Sequence, residues 1–265
     1  MTEVRAKKFL GQHFLRDEGI AQHIADSLTG ITPRVLEIGP GMGVLTKYLC
    51  DRPDLDFHAI EIDRESVDYL QRNYPNLHVI EGDFLALDLS TLFSEPFAII
   101  GNFPYNISSQ ILFKLFENRN LVPELVGMFQ KEVAERVAAP AGNKAYGILS
   151  VLLSAYYDIE YLFTVPEHVF TPPPKVKSAV IRLRRNSVQA LDCDEALFVR
   201  VVKAGFNQRR KTLRNALQQL QLPLNNIPQD LLSKRAEQLS VPQFVTLTQL
   251  LSSPHPESSN LNPEP

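Results

Sequence analysis

Tryptophan is absent from this 265-residue chain, cysteine occurs twice and methionine three times. Two cysteines, Cys50 and Cys193, are too few for a disulfide scaffold, so stability has to come from a buried core. Free thiols in a reducing, cytoplasmic compartment are the expected state. With 12 Gly and 19 Pro, collagenous and low-complexity chains are excluded. Long hydrophobic runs are also missing. The best candidate, Ile148 to Tyr157, falls short of the roughly 18–20 residues of a membrane span and is broken by Ser150 and Ser154. The opening MTEVRAKKFLGQHFL carries charge but no apolar stretch of the kind that directs export. What is present, 44% hydrophobic and 22% charged residues, is the composition of a folded globular protein, long enough for one large domain and a small one.

A net charge of −3 conceals a polarity along the chain. From Lys175 to Leu220 stand 11 basic and 3 acidic residues, a local +8 that leaves −11 elsewhere. Such a basic region on an acidic chain suits a polyanion such as nucleic acid, because Lys and Arg that neutralise phosphates release counterions. A solvated helix face would carry the same charges.

The pattern predicts an α/β fold. Glu18 to Leu28 reads as a helix with Ile20, Ile24 and Leu28 on one face. Arg34 to Ile38 reads as a short buried strand, followed by the glycine turn Gly39 to Gly43 and a helix from Val44. Further strands are expected at Phe57 to Ile62, Leu77 to Glu81 and Phe97 to Ile100, with a helix through Tyr69 between the first two. Strands alternating with helices imply a mainly parallel sheet covered on both faces. Leu125 to Ala138 and Tyr146 to Tyr156 are expected to be helical, and Ile159 to Val165 and Ser178 to Leu183 to be late strands. Residues 1–185 are then expected to form the α/β domain and 186–251 a small all-helical domain, with 252–265 a tail rich in Ser, Pro and Asn that is expected to be disordered.

Three strand ends carry the first chemical signal. Glu37-Ile-Gly39-Pro-Gly41-Met-Gly43 places a carboxylate before alternating glycines, a spacing unlike that of a dinucleotide site. It suits a nucleoside bearing an amino acid, with Gly39 and Gly41 admitting close backbone approach and Glu37 meeting an ammonium group. Glu61, at the end of the next strand, can accept hydrogen bonds from ribose hydroxyls, and Asp83, after the third, from an adenine amino group. The ordered set reads as a site for S-adenosylmethionine, with no metal called for.

The fourth strand runs into Asn102-Phe103-Pro104-Tyr105. The lone pair of an exocyclic adenine nitrogen is delocalised into its ring, so a methylating enzyme must localise and aim it. The Asn102 oxygen and a main-chain carbonyl near Phe103 can accept the two amino hydrogens. Pro104 fixes the turn and Tyr105 offers a stacking ring. Phe170, ahead of the triple proline, is a second candidate stacking wall, with core packing as its alternative.

These motifs together closely resemble the KsgA/Dim1 family of ribosomal RNA adenine dimethyltransferases. The resemblance is carried by Lys8 to Leu15, Glu37 to Gly41, Gly101 to Ser108, Gln130 to Ala134, Tyr146 to Ser150, Val169 to Val176 and Arg209 to Leu217. It implies a Rossmann-like class I methyltransferase domain and transfer of two methyl groups to N6 of each of two adjacent adenosines. Those adenosines lie in the 3′-terminal hairpin of 16S ribosomal RNA on an assembling small subunit. By motif position it also implies cofactor contacts at His13, Leu15, Gly39, Glu61, Asp83 and Asn102. His13 stands where the family usually has Asn, so that contact falls to its side chain or its backbone, and Phe103 stands where Leu is common. Arg209, Arg210, Lys211 and Arg214 gain a reading as contacts to ribosomal RNA phosphates. A monomer is expected. A 23S-directed resistance methyltransferase of the erythromycin type, or a non-catalytic RNA-binding assembly factor on the same fold, stays open at this point.

Overall fold

The computed structural model describes residues 4–252, so the tail expected from 252 onward lies almost wholly outside the described residues. The described residues form two compact units, 4–138 with 156–187, and 139–155 with 188–252.

The first unit is built on a seven-stranded sheet. Its strands are β2 (Arg34–Ile38), β3 (Asp56–Glu61), β4 (His78–Glu81), β5 (Ala98–Asn102), β6 (Glu124–Gln130), β7 (Tyr157–Val165) and β9 (Ser178–Arg185). Their order is β4-β3-β2-β5-β6-β9-β7. The pairs from β4 to β6 are parallel, and β9 joins β6 and β7 antiparallel. The central strands β2, β5 and β6 are buried almost throughout because helices cover both faces, whereas β4 at the sheet edge keeps exposed ends. Chief among these helices are α1 (Glu18–Asp26), α2 (Thr46–Cys50), α3 (Arg64–Asn73), α4 (Ser108–Glu117) and α5 (Lys131–Val137). Asp17 starts α1 by accepting from the Ile20 N–H, and Asp63 starts α3 by accepting from the Glu65 N–H, each satisfying a donor that the helix end leaves open. Two short strands, β1 (Phe14–Leu15) and β8 (Phe170–Thr171), form a separate antiparallel ribbon.

One predicted helix is a strand. Glu124 to Phe129 are all buried, with β5 on one side and β9 on the other, and only from Lys131 does the chain turn helical. A strand buried on both faces has no alternation to distinguish it from a buried helix.

The second unit holds α6 (Ile148–Ser154), α7 (Glu195–Asn207), α8 (Leu213–Leu217), α9 (Gln229–Ser233) and α10 (Val241–Ser252), packed around Phe198, Val201, Val202 and Phe244. The helical unit therefore takes in residues 139–155, which the sequence reading assigned to the α/β domain, because α6 packs on α7. Among the described residues no helix is long and apolar enough to cross a membrane.

Candidate active site

Parallel strands β2, β3, β4 and β5 end on one edge of the sheet, and the order reverses on either side of β2, where open α/β sheets leave a crevice. A cavity occupies it. Gly39, Gly41, Glu61, Asp83, Asn102, Phe103, Pro104 and Tyr105 all line it, so the structure brings together most of the residues singled out in the sequence.

The glycine turn leaves the space the sequence calls for. Gly39 and Gly41 have φ of 66° and 57°, a region that residues with a Cβ avoid, and a Cβ on Gly41 would lie 2.9 Å from the Phe14 ring. The Gly41 N–H donates to Glu61 Oε2 at 3.0 Å and the Asp63 N–H to Glu61 Oε1 at 2.8 Å. The Glu61 carboxylate is thereby oriented, and each oxygen keeps a further acceptor position. Burial raises its pKa, partly offset by these backbone donors. Asp83 is exposed, and its Oδ1 accepts from the Leu85 N–H at 2.8 Å. Lys114 holds the same turn by donating to the Leu85 and Leu87 carbonyls at 2.9 and 2.5 Å. A backbone cradle, two carboxylates on neighbouring strand ends and the apolar Ile62 and Phe84 between them fit an adenosine-bearing cofactor.

Glu37 lies apart from this lining. It faces a neighbouring cavity that it shares with Gly39, Gly43, Lys47, Tyr74 and Asn102. Its Oε2 accepts from Thr46 Oγ1 at 2.6 Å, and burial, with the nearby Glu61 charge adding to it, pushes its pKa up to about 8. Leu15 also borders that second cavity, with its side chain in the core.

The turn after β5 is held from three sides. Asn102 Nδ2 donates to the His13 carbonyl at 3.0 Å, which fixes the amide and leaves Oδ1 as the acceptor for a ligand. The Phe103 N–H donates to the Met128 carbonyl at 3.2 Å, and its ring is buried beside Gly101, Gly127 and Phe129. Since the next residue is Pro104, the peptide after Phe103 has a carbonyl and no N–H. Tyr105 OH and Ser178 Oγ are 2.5 Å apart. The His13 ring stacks on Tyr105 at 5.3 Å and 29°, with its Nδ1 2.8 Å from the Pro172 carbonyl.

Phe170 differs from expectation. It is 3% exposed, belongs to the core cluster with Leu15, Ile24, Met128 and Val180, and does not line the cavity. Pairing of β8 with β1 turns its ring inward, so the core-packing alternative describes it here. The basic residues also separate. Arg209 is engaged within its own unit, bonding Glu237 at 2.9 Å and the Lys144 carbonyl, and Arg214 donates to Gln229. Arg210 and Lys211 are exposed. Among the described residues, no group of three or more His, Cys, Asp or Glu is placed to hold a metal ion.

The sequence reading missed the strap over the cleft. Leu10, Gly11 and Gln12 line it, and Lys7 bonds Asp63 at 2.5 Å and Glu65 at 3.2 Å, two and four residues beyond the end of β3. No local periodicity announces a contact between residues 56 positions apart. The signal available was apolar: Ile62 follows Glu61 and Phe84 follows Asp83, and both form walls of the cleft.

Comparison with known proteins places these features. The family model for ribosomal RNA adenine dimethylase matches residues 3–252. A protein of Cytophaga hutchinsonii named ribosomal RNA small subunit methyltransferase A is 62% identical over 258 residues, 95% of this chain and 99% of its own. One of the same name from Bacteroides thetaiotaomicron is 56% identical over 253 residues, 94% of each. Among solved structures, a dimethyladenosine transferase from Plasmodium falciparum superposes with a TM-score of 0.72 at 28% identity, covering 89% of this chain and 96% of its own. The 23S rRNA methyltransferase ErmE gives 0.70 at 26%, covering 91% and 100%.

Proposed function

The chain belongs to the ribosomal RNA adenine dimethylase family, is an S-adenosylmethionine-dependent enzyme, and from that premise we propose that its target is the small-subunit RNA. The bases modified are two adjacent adenosines in the 3′-terminal hairpin of 16S ribosomal RNA, each dimethylated at N6 during subunit maturation. The enzyme acts in the cytoplasm as a monomer. Relatives sharing more than half their residues carry the small-subunit name, which favours this target over a 23S site.

The observation that carries the catalytic reading is the Asn102 amide, held by the His13 carbonyl with Oδ1 left free at the sheet edge. When bound, S-adenosylmethionine supplies an electrophilic methyl group. Gly39, Gly41, Glu61 and Asp83 hold its nucleoside part, and the buried Glu37 offers a carboxylate near its amino-acid end. Asn102 Oδ1 and the Phe103 carbonyl accept the two amino hydrogens of adenine, drawing the nitrogen lone pair out of the ring plane. Tyr105, its hydroxyl anchored on Ser178, gives the base a face to stack on. No side-chain base is needed, since the cationic product loses its proton to water.

A methyl-transfer assay with tritiated cofactor on unmethylated small subunits, followed by nucleoside analysis, tests this. Label in dimethyladenosine of 16S RNA is expected, and Asn102→Ala should lower turnover by about a hundredfold or more while leaving RNA binding largely intact. Label confined to large-subunit RNA, or full activity of the variant, would overturn the reading.

A further inference from the structure

The strap and the proline loop leave an unassigned surface beside the cleft. Phe9 is 79% exposed, more than any other large hydrophobic residue among those described, and Val176 is 46% exposed. Their neighbours in sequence Arg5, Lys8, Lys175 and Lys177 are all exposed, and none has an acidic partner among the described residues. Lys7, by contrast, is spent on Asp63 and Glu65. Residues 4–16 and 170–178 contain no acidic residue, on a chain whose net charge is −3.

Both segments are tied to the catalytic turn. Phe9 immediately precedes Leu10, which lines the cleft, and Lys177 immediately precedes Ser178, which bonds the Tyr105 hydroxyl at 2.5 Å. They are joined to each other by the pairing of Phe14 with Thr171 and by the His13 ring against the Pro172 carbonyl at 2.8 Å. An exposed phenyl ring among unpaired cations combines a stacking platform with phosphate contacts, the pair of features that proteins use on single-stranded nucleic acid.

We propose that the rim built from Arg5, Lys8, Phe9, Lys175, Val176 and Lys177 holds the RNA strand flanking the target adenosine, with the Phe9 ring stacked on an unpaired base. This rests on the reading above that the substrate is ribosomal RNA, and adds the path that RNA takes across the α/β unit. A base drawn into the cleft breaks its stack with its neighbours, and Phe9 replaces one of those lost contacts. The cations neutralise the phosphates that the turn brings close.

The test measures binding apart from methyl transfer. The probes are a synthetic RNA hairpin with two adjacent adenosines in its loop and unmethylated small subunits. Phe9→Ala should weaken hairpin binding about tenfold, and Phe9→Trp should restore it. The triple variant Lys8→Gln, Lys175→Gln, Lys177→Gln should lower the slope of log affinity against log salt by about two. Calorimetric affinity for the cofactor should stay unchanged in each, since none of these side chains lines the cavity. Unchanged hairpin affinity in both variants would overturn the proposal, as would full rescue by Phe9→Leu, which fills space without an aromatic face. Losses seen on whole subunits and absent on the hairpin would also overturn it, by making the partner a ribosomal protein. Lack of label from the unaltered enzyme would instead overturn the proposed target, while the hairpin affinities still decide the rim.

Discussion

Single atoms set much of the site's behaviour. Asn102 is proposed as a catalytic amide from its place at a strand end, but which of its two heads is left open is decided by the His13 carbonyl, 89 residues away. Glu37 makes the same point electrostatically. The sequence reading proposed it as a cofactor carboxylate, and its burial pushes its pKa up to about 8, well above the ordinary value of 4.5. The unfolded chain loses this proton near pH 4.5 and the free folded protein keeps it to about pH 8, so the group's contribution to stability is full below the first value and is lost as pH rises to the second. Unfolding midpoints of the cofactor-free protein should therefore fall relative to those of Glu37→Gln between these limits. Parallel pH profiles of the two proteins would contradict this.

At the scale of elements, the turn proposed to carry the chemistry depends on a strand that sequence periodicity misread. β6 looked helical because Leu125 to Phe129 form an unbroken run with no alternation, and only its neighbours β5 and β9 show that it lies inside the sheet. It is Gly127, in the middle of β6, that leaves room for the Phe103 ring: a Cβ there would lie 2.2 Å from that ring, and one on Gly101 would lie 2.6 Å away. The Phe103 ring is buried and packed against Phe129, so Gly127→Ala should destabilise the protein by roughly 1–3 kcal/mol through overpacking. By displacing Phe103 and its carbonyl it should lower kcat more than it raises the KM for cofactor. Denaturant unfolding and steady-state kinetics check the two effects separately. Strands β2 to β5 were legible within a residue or two because each is short, apolar and punctuated by Gly, Asp or Asn at its end.

For the whole molecule, charge counting located a basic region but not its free members. Arg209 closes an ion pair with Glu237 inside the helical unit, whereas Arg210 and Lys211 are exposed with no acidic partner among the described residues. Reversing Arg210 and Lys211 to Glu should flatten the salt dependence of RNA binding without moving the unfolding midpoint. Arg209→Gln should do the opposite, lowering stability and sparing the slope. Filter binding across a salt series, beside thermal melts, separates the two. The extent of the helical unit was likewise not readable in linear order, because residues 139–155 join it by packing α6 on α7.

Taken alone, the order of residues determined the α/β class, the glycine cradle, the carboxylates at successive strand ends and the Asn-Phe-Pro-Tyr turn, since each is a local pattern whose chemistry needs no distant partner. Tertiary structure decided what depends on neighbours remote in the chain: the burial of Phe170 and Glu37, the orientation of Asn102, the strap latched on Asp63 and the pairing of Arg209. Burial and hydrogen bonding are properties of an environment, and the environment is assembled only when the strands meet.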